Sequence, residues 1–147
     1  MQLSKNFWLS ELTRSQTAAR YGINNTPNKN QIANLKSLTE SILQPTREHF
    51  NLPVIVSSGY RSALLNARIG GSKTSQHCTG QAVDFEIPGL PNKQVASWIK
   101  ENLNFDQLIL EFYNGVDPNS GWIHCSYVNS NRKHSMIYNG KHYLNWT

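Results

Sequence analysis

The sequence predicts an α+β fold built on a central, mainly antiparallel sheet. Three observations predict it. Apolar residues recur at helical spacing between residues 28 and 50, two short runs ending near Ser58 and Ile87 read as strands, and two further pairs of strand-like runs are joined by turn-rich segments. Strands joined by short turns pair antiparallel, and helices separate from hairpins along the chain belong to the α+β class.

Residues 1–26 read as an amino-terminal arm in which Phe7, Trp8, Leu9 and Leu12 pack around a short helical turn. Thr26-Pro27-Asn28 then starts a helix, and Ile32, Leu35, Leu38, Ile42 and Leu43 mark its apolar face as far as Phe50. Pro45 should bend or restart it. Leu52 to Ser58 reads as a buried strand that delivers Ser58-Gly59-Tyr60-Arg61-Ser62 to its end, and Ala63 to Arg68 suits a short helix. From Gln81 to Ile87 the residues alternate, so Val83, Phe85 and Ile87 face a core while Ala82, Asp84 and Glu86 face the other way. A helix from Lys93 to Leu103 follows, with Val95, Trp98, Ile99 and Leu103 inward. Gln107 to Tyr113 and Trp122 to Val128 form a hairpin. Asn139-Gly140 closes a second one between residues 134 and 147, on which His134 and His142 are surface residues.

At 147 residues the chain reads as one domain, long enough to bury a core without disulfide staples. Two cysteines, Cys78 and Cys125, make no disulfide framework and read as reduced, buried thiols. The net charge of +5 favours acidic partners such as nucleic acid, an anionic membrane surface or a bacterial wall. Lysines and arginines are scattered with no basic run, which argues against nucleic acid. The first residues hold no apolar run fit for a signal peptide, and no stretch approaches a membrane span, so a protein made and kept in the cytoplasm unless something exports it is expected.

The chemistry concentrates in Ser75-Gln76-His77-Cys78-Thr79-Gly80-Gln81-Ala82-Val83-Asp84. Zinc takes nitrogen from neutral His and oxygen from a carboxylate, and a catalytic site keeps one position free for water. Gly80 can adopt the backbone angles of a turn that folds His77 back toward Asp84. A lone His and a lone Asp more often do structural work, so further partners are needed. If the first hairpin is symmetric about its loop, Glu111 lies opposite His124, side chains about 5 Å apart on the face away from Leu108, Leu110, Phe112, Ile123, Cys125 and Tyr127. A carboxylate beside a His on an open sheet face reads as a third ligand with a general base next to it. Arg61, on a loop just beyond a strand, is placed to grip a carboxylate.

With Arg61, His77, Asp84, Glu111 and His124 assembled, the sequence resembles the zinc D-alanyl-D-alanine carboxypeptidase superfamily, which includes vancomycin-resistance D,D-dipeptidases and phage L-alanyl-D-glutamate endopeptidases and shares its fold with the hedgehog signalling domain. Ser58-Gly59-Tyr60-Arg61-Ser62, Gly70-Gly71-Ser72, the Ser75 to Asp84 run and Trp122-Ile123-His124 carry the resemblance over nearly the whole chain, closest to the short phage-encoded members. It implies that helices pack on one side of the sheet and that His77, Asp84 and His124 bind zinc. It further implies that Glu111 moves the proton, Arg61 steadies the carbonyl oxygen or a substrate carboxylate, and Ser75 binds substrate.

Many relatives carry the acidic base three residues before the last zinc-binding His, where this chain has Gly121. Asp117 and Glu86 therefore stay open beside Glu111 as candidates for the base. The resemblance implies a monomeric peptidase acting on peptidoglycan peptides, inserted in no membrane, delivered by a holin or a virion. A zinc-containing wall-binding or virion domain without hydrolysis is the competing reading, and cobalt or nickel could fill the same donor set.

Overall fold

The computed structural model describes residues 1–146. The N-terminal arm is held by a few deep anchors. Strands β1 (Gln2–Ser4) and β2 (Phe7–Trp8) pair antiparallel, and helices α1 (Leu9–Thr13) and α2 (Gln16–Tyr21) follow. Leu3, Phe7 and Leu12 enter the same core as the sheet. Trp8, expected to pack with them, is half exposed, because the short strand alternates and only one of its two side chains can point inward.

The helical run expected from Asn28 to Phe50 is three segments. Asn28 caps α3 (Lys29–Leu38) by accepting the Gln31 N–H, and the Gln31 side chain accepts the Asn28 N–H in return. A wider π-helical turn spans Thr39–Leu43, and α4 (Gln44–Phe50) carries Pro45 in its first turn. Proline has no N–H and its ring crowds the carbonyl four residues earlier, that of Ser41, which lies in the widened turn.

Strand β3 (Ile55–Ser58) is shorter than expected and lies at a sheet edge, with Ile55 about half exposed. Edge position removes the neighbour that would have covered it. Helix α5 (Ala63–Arg68), strand β4 (Ala82–Glu86) and helix α6 (Asn92–Asn102) come next. Trp98 of α6 sits at the rim of the core, stacked on His49 with ring centroids 4.2 Å apart. Strands β5 (Gln107–Glu111) and β6 (Trp122–Ser126) form the first hairpin, and β7 (His134–Tyr138) and β8 (Tyr143–Asn145) the second.

The main sheet has six strands in the order β3-β4-β6-β5-β7-β8, antiparallel except where β7 runs parallel to β5. One face carries Val83, Phe85, Leu108, Leu110, Ile123 and Cys125 against Leu35, Leu38, Ile42, Leu43, Val95 and Ile99 of the helices. All of these side chains are buried, and burying each aliphatic one stabilises the fold by roughly 1.5–3 kcal/mol before the entropy of ordering is counted. Helices α3 and α6 and the π-helical turn therefore cover this side of the sheet, and the opposite face of β4, β6 and β5 is left for chemistry. No helix among the described residues is long and apolar enough to cross a membrane.

Candidate metal and catalytic site

A 3₁₀ turn, Gln76–Thr79, carries His77. Ser75 starts it, its Oγ accepting the His77 N–H at 3.2 Å, and Gly80 ends it at φ +75°. A Cβ at Gly80 would also meet the backbone carbonyl of Gln31, so both angle and space require glycine there. The reversal returns the chain as β4 with Asp84 on the open face, and β6 places His124 directly opposite Asp84.

His77 Nδ1 lies 2.7 Å from the Gly59 carbonyl, which can only accept a hydrogen bond, so Nδ1 carries the ring proton and Nε2 is left with the lone pair. Nε2 is 3.4 Å from Asp84 Oδ2, and His124 Nδ1 is 2.9 Å from Asp84 Oδ1. One ligand atom from each of the three lies within 4.8 Å of the others, the sole group of this kind among the described residues. Zinc bonds of about 2.0–2.2 Å in a tetrahedron separate ligand atoms by roughly 3.3 Å, so the donor set fits a small divalent cation in size and chemistry. Burial works against the charge on Asp84, yet the His124 hydrogen bond and the closeness of both imidazoles overcome it and hold the carboxyl well below the ordinary range.

Arg61 approaches the same carboxylate, with Nη2 3.6 Å from Asp84 Oδ2. Its guanidinium is fixed by donating to Ser58 Oγ at 3.0 Å and Asn66 Oδ1 at 3.2 Å. Its own N–H donates to the His77 carbonyl at 3.1 Å, so the Ser58–Arg61 loop and the His77 turn brace one another.

Glu111 is on the open face, but the expected register is corrected. Glu111 pairs with Trp122, and Ile109 lies opposite His124. The symmetric hairpin fails because β5 ends at Glu111. Phe112 adopts a left-handed φ of +53° and turns its ring outward, half exposed against Trp122, while Tyr113 turns into the core instead. A shift of two residues preserves the face, so Glu111 and His124 become diagonal neighbours about 7 Å apart instead of about 5 Å. Burial pushes the Glu111 carboxyl up; the nearby His124 lowers it and the Asp84 charge raises it further. A shift in this direction suits a carboxyl to taking up and returning a proton.

Gly121 has φ +73°, and a Cβ there would collide with the Glu111 carbonyl. The hairpin geometry that holds Glu111 therefore excludes an acidic side chain at 121. Glu86 and Asp117 are both outside the cleft that holds His77, Asp84 and His124. Glu86 is exposed and accepts from Asn92, and Asp117 is an exposed loop residue that accepts the Asn119 N–H.

That cleft has a volume of about 650 Å³ and gathers Arg61, Ser75, His77, Asp84, Glu111 and His124. It also gathers Gln107, Trp122, Arg132 and Tyr143, to which the sequence motifs assign no role. Arg132 and Tyr143 sit outside the motifs, and only the parallel docking of β7 beside β5 brings their segment to the site. His134 and His142 are exposed and outside it. Both cysteines are free; Cys125 is in the core, where burial pushes its thiol far up, and Cys78 is partly exposed. A family model described as Peptidase M15 matches residues 5–126, and no curated protein matches the chain.

Proposed function

The chain belongs to the peptidase M15 family, which makes it a metallopeptidase, and on that premise we propose that it is a zinc-dependent hydrolase of peptide bonds in bacterial peptidoglycan. The observation that carries the reading is the convergence of His77 on the 3₁₀ turn, Asp84 on β4 and His124 on β6, with Glu111 facing the same cleft. His77 through Nε2, His124 through Nδ1 and the Asp84 carboxylate would hold the ion. Bound there, zinc supplies Lewis-acid polarisation of a carbonyl and makes water acidic enough to attack at neutral pH.

The remaining chemistry belongs to the side chains. The Glu111 carboxylate takes the proton of the attacking water and passes it to the departing amine nitrogen. Arg61 Nη2 donates to the carbonyl oxygen as negative charge builds there, or to a substrate carboxylate; its bonds to Ser58 and Asn66 fix its position before substrate arrives. The Gly59 carbonyl keeps the His77 ring in one tautomer and orientation. Ser75, on the cleft wall, retains its hydroxyl proton for a substrate carbonyl while its oxygen caps the His77 turn.

Net positive charge complements a wall rich in phosphate and carboxylate. A monomer of phage origin that reaches the wall by a holin or as part of a virion agrees with the sequence resemblance. Digestion of purified wall material with and without a chelator, followed by mass spectrometry of the new termini, tests the reading. New amine and carboxyl ends that vanish with chelator and return with zinc are expected, and their identity separates carboxypeptidase from endopeptidase cleavage. Wall material left intact under all conditions would favour a wall-binding or virion domain without hydrolysis.

A further inference from the structure

Beyond Ser126 the chain leaves the region matched by the family model, and its first structural act is to bring Arg132 to one end of the cleft. Asp106 positions it. The Asp106 side chain is only 3% exposed, and it accepts the Arg132 backbone N–H at 3.0 Å, Nε at 2.9 Å and Nη2 at 2.7 Å. Gln76, the neighbour of His77, donates its Nε2 to the same carboxylate at 2.8 Å. One edge of the guanidinium is thus consumed by a buried acid. The other edge, with Nη1 and the second Nη2 proton, has no acceptor among the described residues, and the Arg132 side chain is 59% exposed.

We infer that Arg132 is a specificity-determining residue that grips a carboxylate of the substrate remote from the bond that is cut. The inference rests on the peptidase reading of the cleft. A guanidinium pinned along one edge presents the other at a fixed angle, with little rotamer entropy left to lose on binding. Gln76, which shares the Asp106 carboxylate with Arg132, and Gln107, next to Asp106 in the chain, line this end of the cleft, both neutral and polar. The acidic lining groups, Asp84 and Glu111, belong to its middle and its other end, so a carboxylate arriving beside Arg132 meets donors.

Strand geometry gives the spacing. Gln107, Ile109 and Glu111 share the open face of β5, about 13 Å from first to last at ~3.3 Å per residue. His124 faces Ile109 at the midpoint, so the Gln107 end, where Asp106 holds Arg132, is about 7 Å along the strand from the metal-ligating residues. An extended peptide covers that distance in about two residues. The ligand is therefore a peptide carrying an acidic group about two or three residues from the scissile bond.

The test uses two synthetic peptides, identical except that one carries a carboxylate at that offset and the other a carboxamide. With the zinc-loaded protein, the acidic peptide is expected to show a KM at least about ten-fold lower. Arg132→Gln should raise KM for the acidic peptide by about ten- to a hundred-fold, leave kcat alone and leave the amide peptide unaffected, and Arg132→Lys should recover part of the loss. Because Arg132→Gln deprives a buried acid of its partner, the double variant D106N/R132Q, checked by thermal melting, keeps the comparison on a folded protein. Equal losses on both peptides, or none on either, would overturn the inference and leave the hydrolase intact. Calorimetric titration of both peptides into Glu111→Gln protein separates the two readings. Arg132-dependent preference for the acid without any wild-type turnover would sink the hydrolase and keep the subsite, and no binding preference would sink the subsite.

Discussion

Two buried aspartates serve the cleft, Asp84 at its middle and Asp106 behind the Arg132 end, and they have been given opposite tasks. Asp106 is saturated: three donors from Arg132 and one from Gln76 surround its carboxylate. Asp84 is not. It has one short hydrogen bond, from His124, while His77 Nε2 and Arg61 Nη2 stand off at 3.4 and 3.6 Å. Both carboxyls are held well below the ordinary range. At Asp84 burial opposes this and the two histidines prevail; at Asp106 the leading cause is the hydrogen bond from Arg132. What differs is the unmet demand. A buried carboxylate bonded by one imidazole and faced by the lone pair of another is a place for a cation, which can displace the one bridging proton, whereas one already wrapped by a guanidinium braces the chain.

Neutralising each acid in turn should separate the two tasks. Asp84→Asn removes the anionic ligand and is expected to abolish both zinc retention, read by metal analysis after dialysis, and hydrolysis, with the fold preserved by circular dichroism. Retention of a full equivalent of zinc would break the assignment of Asp84 as a ligand. Glu111→Gln, on the same face but outside the ligand set, should cost about 10²–10⁴-fold in kcat while zinc stays bound. A variant with unchanged turnover would return the search for the base to other acids.

Asp106→Asn should leave zinc in place and act on stability, by about 1–3 kcal/mol at pH 7, a figure kept low because Arg132 is largely exposed to solvent. Its pH dependence has a definite sign. The folded carboxyl titrates below the unfolded one, so its contribution is complete above about pH 4 and is lost as pH falls through the folded value. Urea midpoints of wild type and variant should therefore differ at pH 7 and converge as the pH drops below about 4. A gap that stayed constant down to pH 2 would mean that packing, not charge, is what Asp106 contributes.

The same contrast separates what was legible in the chain from what was not. His77, Gly80 and Asp84 are close neighbours in sequence, and a turn followed by an alternating strand is enough to put imidazole and carboxylate together. Arg61 follows from a strand end. The Asp106–Arg132 pair could not be found this way, because its members are joined only when the segment after β6 crosses to run parallel beside β5. Tyr143 reaches the cleft by the same route. The hairpin register was misjudged for a related reason: loop symmetry is a local argument, and the left-handed turn at Phe112 that ends β5 is held by Gly121 packing on the Glu111 carbonyl and by the aromatic neighbours of Phe112.

By itself, then, the amino-acid order determined the α+β class, the side of the sheet that would be apolar, and which acid and imidazole groups could share the other side. Periodicity and turn chemistry act over a few residues and are written directly in the chain. Only the folded structure decided the distance from Glu111 to His124, the edge position of β3 and the arrival of Arg132 at the cleft, because strand order and register are set by packing among segments far apart in sequence.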